Sequence, residues 1–547
     1  MRLKTILYSL LIFAFSLSFS QTLPVGFANY EDYLRRQQIL GEFNEQVSFS
    51  NRPLDLPDSL HDAGKLSWEV LNVDPIKTRI SILAPQFHTE WNSNHPYYAN
   101  NGAMVPSKGF KSLTSAGIHI QAPFLSVQLR PEIYLSQNRA YEGFPDTLGT
   151  RTWSSRYVLY NRADLPEQFG EGKIKDLLLG QSHALLYYKG IGLGFSTESL
   201  WWGPGKRNSI MMSNNARPFA HLTFRTQRPI NTPIGAFEWN VIAGRLEESG
   251  FDPPKRGDGR DEARAANKNS DWRYLSAFTI NYSPKWIKGL NLGASRAVQQ
   301  YQTLARETKD YFPVLINLFR ANDPEGRDEA FIDQLISTYI RWVWYDADAE
   351  IYFEFGRNDA ALNIRDFLLS PQHSRAYTFG FSKIFQLPKN ALQLSYEHTQ
   401  MQQTASYLLR NAFSWYMHGG VRQGYTHRGE VLGSAIGPGS NLDYFNLSWF
   451  QGMTRFGFTF ERWTHDNDFH YFAFERIQDF RRFWIDYTLG LDFDLPYKNF
   501  MFTGEFRFTR SLNYQWELYN SPAGGPYFVN GEDETNLHLS FKTVYLF

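Results

Sequence analysis

Hydrophobic and polar residues alternate with period two, in pieces of about ten residues, along most of this chain. The C-terminal end shows the pattern most plainly. Leu537, Leu539, Phe541, Tyr545 and Phe547 fall on one face, and His538, Ser540 and Lys542 on the other. Upstream, Phe500, Phe502, Phe506 and Phe508 alternate with Thr503, Glu505, Arg507 and Thr509. Before that, Phe483, Ile485, Tyr487, Leu489, Leu491 and Phe493 alternate with Trp484, Asp486, Thr488, Gly490, Asp492 and Asp494. The pattern predicts strands near 78–87, 114–122, 125–135, 180–188, 191–197, 219–229, 236–245, 272–283 and 288–298. It predicts further strands near 335–344, 349–356, 376–385, 391–401, 442–450, 454–463, 483–494, 500–511 and 536–547, eighteen in all.

The gaps between these strands are short and long in turn. Short ones include Tyr345–Asp348, Gln386–Asn390, Gln451–Met453 and Leu495–Asn499. Long ones include 136–179, 246–271, 299–334 and 402–441. Tight turns at one end and long loops at the other are the rhythm of an outer-membrane barrel, whose apolar, aromatic-rich face meets lipid. A sheet this wide must close or expose its edges. The expectation is therefore an all-β membrane protein: a closed antiparallel outer-membrane β-barrel of about eighteen strands over 78–547. An even strand count places the N- and C-termini on the short-turn, periplasmic side. A large secreted β-protein is the alternative.

Two N-terminal stretches differ. Residues 1–20 read as a signal peptide: Arg2 and Lys4 precede an apolar Ile6–Phe19 run, with Ser18 and Ser20 at −3 and −1 before Gln21. Residues 21–77 read as a small periplasmic helical section. Tyr30, Tyr33, Leu34, Ile39 and Leu40 are spaced as on an amphipathic helix, and a second, weaker helical stretch lies in DSLHDAGKLSWEVLNV. A plug or a loose tail is the alternative for this section.

Composition narrows the classes. Among 547 residues there are 55 Lys+Arg, 55 Asp+Glu and no Cys, so a basic nucleic-acid surface, disulfides and thiolate metal sites are all disfavoured. The mean hydropathy of −0.43 excludes a bundle of membrane helices but not a barrel, whose strands alternate. The 17% aromatic content suits the girdles of such a barrel.

Three segments resemble the Wzi family of capsule-assembly outer-membrane proteins: LWWGPGKRNSIMMSNNARPF at 200–219, HPYYANNGAMVPSKGFKSLTSAGIHIQAPFLSVQLRPE at 95–132, and QGYTHRGEVLGSAIGPGSN at 423–441 followed by THDNDFHYFAF at 464–474. The YEDYLRRQQILGEF helix extends the likeness over most of the chain. The resemblance implies an eighteen-stranded barrel with a periplasmic helical section, acting as a surface lectin that retains capsular polysaccharide.

Candidate binding chemistry sits in the long connections. Trp201 and Trp202 carry flat rings able to stack on sugars, Gly203, Pro204 and Gly205 set a tight turn beneath them, and Asn214 and Asn215 offer paired donors and acceptors. These rings could equally pack as a girdle pair or inside the barrel. Loop 402–441 mixes Arg410, Arg422 and Arg428 with Trp415, Tyr416, His418, Tyr425 and His427, a set suited to an acidic glycan or to self-packing. The expected carbohydrate-binding residues are thus Trp201, Trp202, Asn214, Asn215, Arg422 and Arg428. His465, Asp466, Asp468 and His470 have metal-like spacing but read as turn and surface residues; no metal and no cofactor is expected. No G-x-S-x-G or H-E-x-x-H is present, and Glu461, Asp486 and Glu505 read as lumen polar groups rather than a glycosidase pair, so no catalytic residue is assigned. The leading reading is a non-catalytic binder of capsular or other surface polysaccharide. Its other partners would be outer-membrane lipid and polysaccharide-export machinery, with no nucleic acid. A porin-like solute channel is the alternative, separated from it by whether inward loops block the lumen.

Overall fold

The computed structural model describes residues 21–547 except 28, 44–46, 57–65, 74–77, 98, 307, 312–313, 315–330, 359–362, 411, 476–478, 519–524 and 526–532. The segment read as a signal peptide lies outside the described residues. Twenty-two hydrogen-bonded segments form one sheet. Three staves are each split in two and one segment is an added strand, which leaves eighteen staves.

The staves are β1 (Thr78–Asn92), β2 (Gly109–Ala122), β3 (Leu125–Leu129 continued by Glu132–Ser136), β4 (Ile174–Leu178 continued by His183–Tyr188), β5 (Ile191–Ser196) and β6 (His221–Thr226 continued by Ile230–Thr232). Then come β7 (Gly235–Leu246), β8 (Arg273–Pro284), β9 (Leu290–Tyr301), β10 (Ile332–Trp344), β11 (Ala349–Asn358) and β12 (Arg375–Gln386). The last are β13 (Ala391–Gln400), β14 (Asn441–Gln451), β15 (Thr454–Thr464), β16 (Ile485–Tyr497), β17 (Phe500–Leu512) and β18 (Glu534–Tyr545). Every pairing is antiparallel between neighbours in sequence, and β18 closes on β1 from His538↔Asn92 to Val544↔Gln86. Closure joins the last stave to the first, which is what a sheet in lipid requires.

The alternation sorts side chains as the sequence predicts. Leu491, Phe506 and Leu539 are cross-strand neighbours on the outside, and Leu489, Phe508 and Leu537 form the next row. All six are exposed. Inward positions between them carry Thr488, Thr509, Asp492 and Arg507, all buried in the interior. Phe506→Arg should therefore destabilise the barrel by about 2–4 kcal/mol if the site is near the bilayer midplane. Thr503 points inward and donates to Asp494 at 2.9 Å, so Thr503→Arg meets a carboxylate and should cost less. Unfolding titrations of both variants in lipid vesicles check this; equal costs would mean that the in/out register is wrong.

The N-terminal section differs from expectation. Helix α1 (Tyr30–Ile39) forms where the apolar spacing predicts it, with Glu31 and Asp32 in its first turn and Arg36 in its last. It packs into the short-turn mouth of the barrel. Ile39 lies against Val343, Ile384, Ala391 and Phe450, all near short turns. Arg35 donates from Nε to both oxygens of Glu350 on β11, at 2.9 and 3.0 Å. Of the second expected helical stretch, residues 58–65 lie outside the described residues, and the remainder is not helical: Ser67–Val73 is a strand paired with Thr78–Leu83 of β1. The physical reason is an edge in need of a partner. β18 reaches β1 only down to Gln86, so the first part of β1 would otherwise present unpaired backbone. Pro85, which has no N–H to give, marks the register break between the two halves.

Candidate functional site

The segment LWWGPGKRNS folds into the barrel rather than out of it. Almost all of 197–220 is buried. Its anchor is Glu397, an inward residue of β13. The backbone N–H groups of Lys206, Arg207 and Asn208 donate to this one carboxylate at 2.7, 3.1 and 2.7 Å, and the Tyr352 hydroxyl donates to it at 2.8 Å. Three successive amides converging on an anion make a nest. The glycines permit the turn that forms it. A Cβ on Gly205 would stand 1.9 Å from the Asn208 carbonyl oxygen, and Gly203 has φ 126° with a Cβ position 2.7 Å from Glu354. Arg207 donates to Glu461 of β15 at 2.7 Å, and Lys206 pairs with Asp32 of α1 at 3.1 Å. The loop from one end of the barrel and the helix from the other thus meet inside the lumen.

This placement buries the expected stacking platform. Trp201 is 3% exposed and Trp202 is 0% exposed. Arg52 lies over the Trp201 ring at 4.5 Å. Trp202 packs with Ile210, Met212, Trp415 and Tyr425 in the largest buried apolar cluster. Both rings are covered by protein. Asn214 and Asn215 are buried too: their side-chain amides donate to the Asn100 carbonyl at 3.0 Å and the Val431 carbonyl at 2.9 Å, and each lines an interior cavity. Loop 402–441 is self-packed as well: Trp415, Tyr416, Tyr425 and His427 are buried. Its arginines are tied to neighbouring loops. Arg428 pairs with Glu247 at 2.6 Å, Arg410 pairs with Asp366 at 2.7 Å, and the Arg422 guanidinium donates to the Asn267 carbonyl at 3.2 Å. A free basic patch for an acidic glycan is absent from these three positions.

What the long loops do build is a cavity of about 210 Å³ at their end of the barrel. Six of the long connections contribute to its wall. Trp463 and Trp484 sandwich the His465 ring, with centroids 4.3 and 3.8 Å apart and planes 22° and 13° from parallel. Trp516 and Tyr514 meet Trp484 edge-on, both at 5.1 Å. Asp486 fixes the stack, accepting from the Trp484 indole at 3.0 Å and facing His465 Nε2 at 2.9 Å. Trp484 is half-buried and keeps part of its surface open, while Trp463, Tyr514 and Trp516 are buried. Trp463, Trp484, Tyr514 and Trp516 are not among the expected binding residues. The available signal was Trp484 itself, a large aromatic on the polar face of an alternating strand beside a long loop.

The metal-like cluster disperses. His465 joins the ring stack, Asp466 caps helix α2 (Asn467–Phe474) by accepting from the Phe469 N–H at 3.0 Å, and His470 stacks on Phe483. Asp468 accepts from Ser414 at 2.7 Å. Among the described residues no group of three or more ligating side chains is placed to hold a metal ion. Loss of solvent, and then the neighbouring Asp466, push the Asp468 carboxyl up to about 7. A carboxyl raised in the folded state stabilises below its unfolded pKa, and that contribution is lost as pH rises through the folded one. The window here runs from about 4 to about 7. Amide exchange over 464–474, corrected for intrinsic rates, should therefore be faster at pH 8 than at pH 5. Asp468→Asn should remove that difference; an equal difference in the variant would refute the assignment.

A family model described as capsule assembly protein Wzi matches residues 93–515. No curated protein matches. Among solved structures the chain is similar to Wzi of Escherichia coli, described as an outer membrane protein involved in group 1 capsule assembly and as a carbohydrate-binding β-barrel. That likeness has 12% identity over 96% of this chain and 99% of that one, with a TM-score of 0.60. OccAB3 of Acinetobacter baumannii is similar at 8% identity over 86% and 99%, with a TM-score of 0.40. OprD of Pseudomonas aeruginosa is similar at 8% identity over 86% and 92%, with a TM-score of 0.38. At these identities the likeness to the first establishes a shared fold.

Proposed function

Because this chain belongs to the Wzi family of capsule assembly proteins, we propose that it binds capsular or another surface polysaccharide from the outer membrane and holds it at the cell, without catalysis. The long loops face outward, both termini face the periplasm, and the exposed aromatic and aliphatic wall meets outer-membrane lipid. The observation that carries the reading is the ring-walled cavity enclosed by the long loops, since flat apolar faces beside fixed polar groups suit sugar rings. The obstructed lumen argues against the channel alternative: loop 197–220 and α1 are joined across it by Lys206 and Asp32, beside an interior cavity of about 270 Å³. Retention needs no single tight contact. A repeating polymer engages many copies of a weak site, and avidity multiplies them. Polysaccharide-export machinery remains a partner to be sought on the same face. The test is binding of polysaccharide extracted from the producing cells to the purified, immobilised barrel. Long chains should bind far more tightly than short fragments of the same material, and an absence of binding at any chain length would overturn the proposal.

A further inference from the structure

The wall of the long-loop cavity is specific in charge. Among the described residues its carboxylates are Glu167, Glu430, Asp466 and Asp486, and its single guanidinium is Arg156. Arg156 is already committed, lying 3.8 Å from Glu167 and 3.7 Å from Asp466 while stacking over Phe144, Phe469 and Trp516. A second carboxylate group entering here would meet acidic residues with, among the described residues of the wall, no uncommitted guanidinium or ammonium to answer it. Residues of the wall also carry buried polar atoms that the protein leaves without partners. These are the indole N–H groups of Trp463 and Trp516, the side-chain carbonyls of Asn215 and Gln515, and both carboxylate oxygens of Glu430. Buried polar groups are ordinarily paired, and a cluster around one cavity calls for a reason. The set contains donors and acceptors together, the complement of hydroxyl groups that both donate and accept. Glu430 is the most telling member. It is 3% exposed, and no donor meets either oxygen in full hydrogen-bonding geometry, although the Arg217 amide is close enough to pull its carboxyl down. Burial pushes its carboxyl up to about 8, so near neutral pH it is largely a neutral acid able to donate as well as accept.

We propose that this cavity is a subsite for one sugar ring that bears no carboxylate, held against Trp484 and hydrogen-bonded by Glu430 and the unpaired wall groups. Its volume of about 210 Å³ is below the roughly 300–1,000 Å³ of drug-sized pockets, which suits one ring and not a run of several. The inference rests on the polysaccharide-binding reading and goes beyond it by naming the class of unit recognised.

The probe is surface polysaccharide from the producing cells, cut to short oligosaccharides and added to the full-length barrel in micelles. Saturation-transfer NMR reads which ring touches protein. The strongest transfer should fall on rings without a carboxylate; transfer centred on uronate or pyruvylated rings would overturn the proposal. Glu430→Met should weaken fragment binding by about tenfold and leave thermal stability unchanged or raised, because the oxygens removed had no partner in the protein. Glu430→Gln should retain part of the affinity. Trp484→Ala should also lose about tenfold. A purely structural Glu430 would give the opposite result, a loss of stability with unchanged binding, and that would overturn the proposal. Wild-type barrel that binds no fragment and no long chain would remove the functional reading itself. Wild-type barrel that binds while all three variants match it would remove only this subsite.

Discussion

Glu397→Ala should release the inward loop while leaving the barrel wall intact. The substitution removes the acceptor shared by the Lys206, Arg207 and Asn208 amides and the Tyr352 hydroxyl. A buried donor left without a partner costs about 1–3 kcal/mol, so loss of all four should cost about 4–12 kcal/mol locally, less whatever water repays once the loop opens. The strands keep their own ladders, so the heat-modifiable band of the barrel should persist. The change should appear as faster amide exchange and new protease cleavage within 203–212. Glu397→Gln, which retains one carbonyl acceptor, should lie between. Unchanged protection across 203–212 in the alanine variant would show that the loop is held by something other than this carboxylate.

Trp202→Ala should be the other large effect, at about 3–5 kcal/mol for emptying a fully buried indole site. Trp202 joins loop 197–220 to loop 402–441 through Ile210, Met212, Trp415 and Tyr425. Both loops should therefore lose protection together, which no effect confined to a single loop would produce. Arg428→Ala gives the contrast. Its partner Glu247 is partly exposed, so the pair should contribute no more than about 1 kcal/mol. If Trp202→Ala leaves exchange in both loops unchanged, the packed interior described here is wrong.

The barrel was legible because it rests on local signals. Period two assigns Leu489, Leu491, Phe506 and Phe508 to lipid and Thr488, Asp492, Arg507 and Thr509 to the interior without knowledge of any partner strand. The alternation of short and long gaps then orders the staves. Helix α1 was legible for the same reason. The strand Ser67–Val73 was not, because what makes it a strand is the unpaired first half of β1, not its own pattern. The site was harder still. Trp201 and Trp202 beside a Gly-Pro-Gly turn have the composition of a stacking platform. Their burial depends on Glu354, Glu397 and Glu461, three inward glutamates that resemble ordinary lumen residues and lie far along the chain. Likewise, the cavity wall takes Trp463 and Trp484 from two strand ends and Trp516 from another loop, and nothing local links them. Where the pull on a residue comes from a distant carboxylate or ring, composition suggests chemistry but not which way the residue faces.

The central claim is retention of polysaccharide at the surface rather than passage of solute through the lumen. The direct measurement is the division of polysaccharide between cells and medium when the protein is deleted and then restored. The account predicts that deletion leaves the total made unchanged and moves most of it from the cells into the medium, with restoration by the wild-type chain and not by Trp484→Ala. Unchanged attachment in the deleted cells, together with slower uptake of small solutes, would contradict it and favour a channel.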